Sequence, residues 1–390
     1  MVKMDTIKKG RGGAFLLFFF FILSVVTFAG DGFKLQLFPY VDTIYTNNVY
    51  WDSTQVSDRI ISPGVEVDYS SSNLNFYFDA TGRFYTENNF LNSYFLSSGF
   101  EFYKALGGRD LLYITPNISI NTFNSELSYL DNMEEGLTIG LKKYLTKSFL
   151  IKTGIKGINK DYSSYDSYDH FKFSSFLQLN KFFKTQITLR GTVGFNYLYF
   201  PHIIETQQYI QVFPIGRRGR NGTEMITEES SYTLSLPIFY STLRLAQSVG
   251  TLTGLVLEYS YRKKLVEDKV IPDMSEDEWI LTKMNDDFFW DGSRYSIALK
   301  STKFFGLTTA VEFSYFSKLY EGIFIRDLVG EIIQPGEYRK DTMYQGTFSI
   351  MKSFGRLNVY LKGIYRDNSS NDDFFDYNLF TIMGGIDYNF

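Results

Sequence analysis

From Phe33 to Phe390, apolar and polar residues alternate along most of the chain. Leu307, Thr309, Val311, Phe313 and Tyr315 share one parity. Thr308, Ala310, Glu312, Ser314 and Lys318 share the other, with Phe316 out of phase. Successive side chains of a strand point to opposite faces, so this segment offers one face to lipid and one to water. Ile187, Leu189, Val193, Phe195, Tyr197 and Tyr199 alternate with Gln186, Thr188, Arg190, Thr192 and Asn196 in the same way. So do Leu357, Val359, Leu361 and Tyr365 with Asn358, Lys362 and Arg366.

Short turns separate these segments at 105–108, 146–149, 180–183, 247–250, 303–306 and 352–355, with a seventh at 70–73. A Lys-x-Phe triplet recurs at 147–149, 181–183, 303–305 and 352–354. Lys suits headgroups or water there, while Phe anchors at the interface. Longer polar connections fall at 47–59, 87–90, 124–134, 160–168, 200–229, 264–287, 321–341 and 368–373. Seven short turns and eight long connections predict sixteen strands, with both chain ends on the turn side. The predicted strands are 33–46, 60–69, 74–86, 91–104, 111–123, 135–146, 149–159, 169–181, 185–199, 230–246, 251–263, 288–302, 307–320, 342–352, 356–367 and 374–390. Counts of fourteen or eighteen stay open. A phase change near Tyr240, in a segment that contains Pro237, predicts a bulge there. A tilted strand needs about 9–11 residues to cross the hydrocarbon, and most of these suffice. The fold class is therefore all-β: an antiparallel up-and-down transmembrane barrel.

Composition agrees. Aromatic residues make up 18 % of the chain, with 30 Tyr and 39 Phe, as a barrel's lipid face and interfacial girdles require. Mean hydropathy is -0.14, too polar for a bundle of spanning helices. A net charge of -4 and the lack of any nucleic-acid motif exclude a nucleic-acid partner. With no Cys, the chain has no disulfide, thiolate metal site or lipid-anchored Cys. Lys3, Lys8, Lys9 and Arg11 precede an apolar run, Ala14 to Val26, and small residues Thr27 and Ala29 stand before Gly30. This is the layout of a cleaved signal peptide, so residues 1–29 read as a signal and 30–390 as the barrel.

The chain ends Gly385-Ile386-Asp387-Tyr388-Asn389-Phe390. Phe390, Tyr388, Ile386 and Ile382 put apolar residues at alternate positions up to a terminal aromatic. In this the chain resembles the Gram-negative outer-membrane β-barrel superfamily, porin-like but of no identified subfamily. The resemblance implies that Gly385, Tyr388 and Phe390 form the signal read by the barrel-assembly machinery. Met383 departs from the polar residue usual at its place. The resemblance also implies an integral outer-membrane location, with lipid and lipopolysaccharide as surroundings and a homo-oligomer as an option.

A barrel of sixteen strands encloses water, which predicts a channel for passive diffusion of small hydrophilic solutes. The charges predicted to line it are Lys152, Lys156, Arg190, Glu258, Arg262, Lys300, Glu312, Lys318, Lys362 and Arg366. Opposite charges among them would pair and stiffen the wall; the remainder would set selectivity. The longest connection holds Arg217, Arg218 and Arg220. Folded inward, it would form a constriction with mild anion preference; left outside, it would be a solvated tip. The connection 264–287 is acidic and reads as a solvated charge run before a divalent-cation site. No cofactor and no metal site are implied. Two alternatives stand beside the channel. One is a structural, adhesive or export-related barrel, with Phe176, Phe316 and Tyr360 filling the inside. The other is an outer-membrane hydrolase, which would need His170 or His202 as base, though no nucleophile motif surrounds either.

Overall fold

A computed structural model describes residues 34–390 except 165, 167–168, 216–219, 251, 267–289, 305 and 326–336. For residues 203–230, 232, 303–304 and 324 it describes the backbone alone. The predicted signal peptide and most of the acidic connection lie outside the described residues. The strands are β1 (Lys34–Thr46), β2 (Asp58–Ser70), β3 (Leu74–Tyr85), β4 (Ser93–Gly107), β5 (Asp110–Phe123), β6 (Asn132–Thr146), β7 (Phe149–Tyr162) and β8 (His170–Phe182). They continue as β9 (Ile187–Ile215), β10 (Arg220–Val249), β11 (Thr253–Lys264), β12 (Asp291–Phe304), β13 (Leu307–Phe324), β14 (Tyr338–Phe354), β15 (Leu357–Ser370) and β16 (Tyr377–Tyr388). Each pairs antiparallel with its sequence neighbours, and β1 pairs with β16, so the sheet closes as a barrel of sixteen strands. Closure leaves no free edge, the condition for strands to cross lipid.

Apart from Phe182 and Met351 near the turn side, the exposed large apolar residues of each strand share one parity. Leu243 is 54 % exposed, Val311 56 % and Ile386 51 %. Burying such a side chain is worth about 1.5–3 kcal/mol, so a wall of them seeks hydrocarbon. Tyr259, Tyr295, Tyr315 and Tyr344 stand directly opposite one another on this outer face across β11 to β14, with ring centroids 4.9–6.2 Å apart.

The other parity faces the interior. Six aromatic rings there lie directly across from a glycine on the next strand: Tyr40 at Gly64, Tyr77 at Gly99, Tyr113 at Gly140, Phe176 at Gly154, Tyr240 at Gly194 and Tyr360 at Gly385. Each ring occupies the space a Cβ would take. The rings therefore lie along the wall. Phe316, the residue out of phase, is also inside, and the Arg294 guanidinium covers its ring at 5.2 Å.

Two expectations need correction. The connection expected at 200–229 is mostly strand: β9 and β10 stay paired from Arg220 opposite Ile215 down the hairpin. Polar residues hid this, because strand residues that extend past the membrane need no apolar face. Nor is there a bulge near Tyr240. The irregularity lies between Tyr232 and Leu234, and pairing is regular from there to Gln247. The apparent phase change arises because Leu234, Leu236 and Ile238 are inward and buried while Leu243 and Leu245 face out.

Candidate functional site

The interior is the candidate site. The pairing register puts Lys152 and Lys156 of β7, Arg190 of β9, and Glu258 and Arg262 of β11 on its wall. It does the same for Lys300 of β12, Glu312 and Lys318 of β13, and Lys362 and Arg366 of β15.

Charge on this wall is uneven, with Lys34 and Arg83 among the acidic strands and Glu134 among the basic ones. Asp387, Asp42, Glu66, Asp68, Asp79 and Glu101 occupy the arc from β16 through β1 to β4. Lys142, Lys152, Lys156, Lys172 and Arg190 occupy the arc from β6 to β9. Several like charges stand directly opposite each other: Glu66 with Asp79, Lys142 with Lys152, and Arg190 with Arg244. Such pairs are destabilising. Among the described residues, Glu66, Asp79, Lys142 and Lys152 have no ion-pair partner. Tyr40 donates to Asp79 at 3.0 Å, and Tyr360 donates to Asp42 across the closing seam.

Elsewhere the charges pair. Arg244 lies 3.8 Å from Glu258, and Arg294 lies 2.6 Å from Glu312. Arg366 donates to Gln345 at 3.0 Å, and its guanidinium lies 4.7 Å from the Trp51 ring.

At the loop-side mouth the interior changes character. Leu198, Phe200, Leu234, Leu236 and Ile238 of β9 and β10 pack with Tyr320 of β13 into a buried apolar cluster, flanked by Trp290 and Ile323. Cations surround it. Arg262 lies 5.0 Å and Lys318 5.3 Å from the Trp290 ring. The Arg339 guanidinium sits 4.0 Å from the Tyr320 ring and 3.4 Å from the Phe375 ring. Its Nε donates to Asp341 at 2.9 Å, and both residues are buried. The loop-side interior thus holds, on one side, a buried apolar cluster with cations against its rings.

Sequence reasoning singled out Arg262, Lys318 and Arg366 but missed Trp51, Trp290, Tyr320, Arg339 and Phe375. Their partners come from distant strands, and alternation within one strand holds no trace of them. Arg217 and Arg218 lie outside the described residues. Arg220 begins β10, and its side chain is not described.

His170 is buried, with its ring 5.2 Å from that of Phe200. Its neighbour Asp169, in the connection before β8, accepts from the Tyr162 backbone at 2.6 Å. Burial pushes the Asp169 carboxyl up to about 6, with Asp161 and Asp166 adding to the rise. Gly385 has a packing role of its own, since the Tyr360 ring and the Asp42 carboxylate fill the place of any Cβ.

A closed antiparallel barrel with an even strand number, an apolar outer wall and a charged interior defines the outer-membrane β-barrel class. No family model and no curated protein matches the chain. Among solved structures, it is similar to the outer-membrane expressed OmpT of Vibrio cholerae, at 10 % identity and a TM-score of 0.46, covering 93 % of this chain and 99 % of that one. It is similar to OccAB3 of Acinetobacter baumannii, at 11 % identity and a TM-score of 0.45, covering 92 % and 99 %. A bacterial polysaccharide outer membrane secretin matches at 7 % identity and a TM-score of 0.48, covering 91 % and 98 %.

Proposed function

We propose that the chain is an outer-membrane channel for passive diffusion of small hydrophilic solutes. One observation carries this reading. Like charges face each other on the inner wall, with no ion-pair partner among the described residues for Glu66, Asp79, Lys142 and Lys152. In a dry interior such charges would each cost several kcal/mol, by the effective penalty for a desolvated ion. Water in the lumen removes most of that cost. The solute diffuses past two charged arcs, and the apolar mass at the mouth sets the size limit. A mild anion preference belongs to the proposal, supported by Arg262, Lys318 and Arg366 around the mouth. So does export by a cleaved signal peptide and assembly through Gly385, Tyr388 and Phe390. A hydrolase fits less well, because the His170 ring is packed against Phe200.

The purified, folded chain should give discrete conductance steps in planar bilayers. Silence would sink the channel and favour a structural barrel, for which the buried cluster at Leu198, Leu234 and Tyr320 is the supporting observation. R262Q/K318Q should move the reversal potential toward cations. If R217S/R218S/R220S leaves ion preference unchanged, those three arginines line no constriction.

A further inference from the structure

Near the turn-side end, the outer face repeats one arrangement on alternate strands. In β4, Lys104 stands between Phe102 and Leu106; in β6, Lys143 stands between Leu141 and Leu145. In β8, Lys181 lies between Leu179 and Phe183, the latter just past the strand; in β14, Lys352 lies between Ile350 and Phe354. Register fixes the side these lysines face. They stand opposite Leu112, Ile151, Leu189 and Val359 respectively, all of the lipid-facing parity. The flanking residues are exposed: Leu106 by 52 %, Leu145 by 52 % and Phe354 by 56 %.

Among the described residues, no carboxylate lies within ion-pair distance of any of the four. Lys352 Nζ lies 5.1 Å from the Phe354 ring, and Lys181 Nζ donates to Ser148 Oγ at 3.2 Å. Asp110, the acid in the nearest turn, accepts from the Tyr144 backbone at 2.8 Å. An ammonium cannot rest in hydrocarbon, so the stem lies along the apolar wall and the head reaches the headgroup layer. Four such heads, each within three residues of its strand's end and on strands of the same direction, form a collar near the turn-side rim.

We infer that this collar binds anionic phospholipid of the turn-side leaflet. The lysines take the headgroup phosphates, and the flanking Phe and Leu meet the upper acyl chain. Each lysine near an anionic surface is worth about 1 kcal/mol. In β10 the matching position holds Gln247, between Leu245 and Val249, which leaves a gap.

The test uses the full folded chain in phosphatidylcholine vesicles with spin-labelled phosphatidylglycerol or spin-labelled phosphatidylcholine. The immobilised fraction gives the relative association constant of each lipid. Phosphatidylglycerol should be favoured about fivefold per occupied site at low salt, the equivalent of about 1 kcal/mol. The preference should collapse in about 1 M NaCl, where the Debye length is about 3 Å, and in K104Q/K143Q/K181Q/K352Q. Heat-dependent gel mobility checks that this variant folds. Should it fail to fold, Q247K provides a gain-of-function arm and should raise the preference. Equal association of both lipids with the unmodified chain would overturn the inference. So would a preference that survives in the folded quadruple variant, or one that Q247K leaves unchanged.

Discussion

The two ends of the barrel are closed by different means. On the turn side, strands reverse within a few residues, and left-handed glycines such as Gly108 (φ 58°) and Gly355 (φ 67°) make the reversal. Side chains there turn outward, and Lys alternates with Leu and Phe. On the loop side, the chain closes over itself with buried polar groups. Asp58 accepts from the backbone of Thr86, Glu87 and Asn88 and from the Asn88 side chain at 2.8–3.1 Å. Lys263 bridges Asp291 at 2.9 Å and Glu321 at 3.1 Å, joining β11, β12 and β13. The difference teaches where specificity can reside. A turn held by backbone tolerates change in its side chains, whereas an end held by side chains is built from the residues a solute meets.

If that contrast holds, R339A should have the largest effect. It leaves Asp341 buried without its guanidinium, and breaking a buried ion pair costs about 3–5 kcal/mol. Ser370 and Asn368 still donate to Asp341, at 2.7 and 3.3 Å, so the loss should fall in the lower part of that range. Urea unfolding in detergent micelles measures it, and proteolysis should begin at the loop end. G385V comes next, at about 1–3 kcal/mol for overpacking, because the Tyr360 ring must leave the wall and the bridge to Asp42 opens. Slower refolding into vesicles, with the closing seam last to be protected from hydrogen exchange, would be its signature.

K263A should cost at most about 1 kcal/mol, since that lysine is half in solvent. K352Q should change stability by less than about 0.5 kcal/mol, as an exposed residue away from any cap or core. A larger loss from K352Q than from R339A would break the contrast outright.

A further effect is one of pH. The folded Asp169 carboxyl sits at about 6, above its ordinary value of 3.8. The folded connection therefore holds the proton more tightly than the unfolded chain does. Its contribution to stability grows as pH falls through about 6 and is complete below the ordinary value. The protection of the connection's amides, taken relative to the intrinsic exchange rate at each pH, should rise between pH 7 and pH 5, and D169N should remove that rise. Protection that falls over the same interval would reverse the assignment.

Much of the fold was legible from alternation alone. Strand number and direction followed from short turns, and most predicted strand ends lie within four residues of those observed. The failures have physical causes. At 200–229 the strands run beyond the apolar wall, so the periodic signal vanished while the pairing continued. At Leu234, Leu236 and Ile238 an apolar inner face imitated an outer one. The lysine collar was visible only as a Lys-x-Phe repeat. Lys147, in that repeat, belongs to a turn, while Lys143, four residues earlier, holds the outward position.

By itself, the sequence determined that this chain is a two-faced sheet with no edge, because the period-two pattern is local and each residue records which solvent it meets. Only the tertiary structure decided what stands at the mouth and along the closing seam. Trp51 meets Arg366, and Tyr360 meets Asp42. Ring closure brings together residues more than three hundred positions apart. Which of them touch depends on register around the whole barrel, and no single strand encodes that.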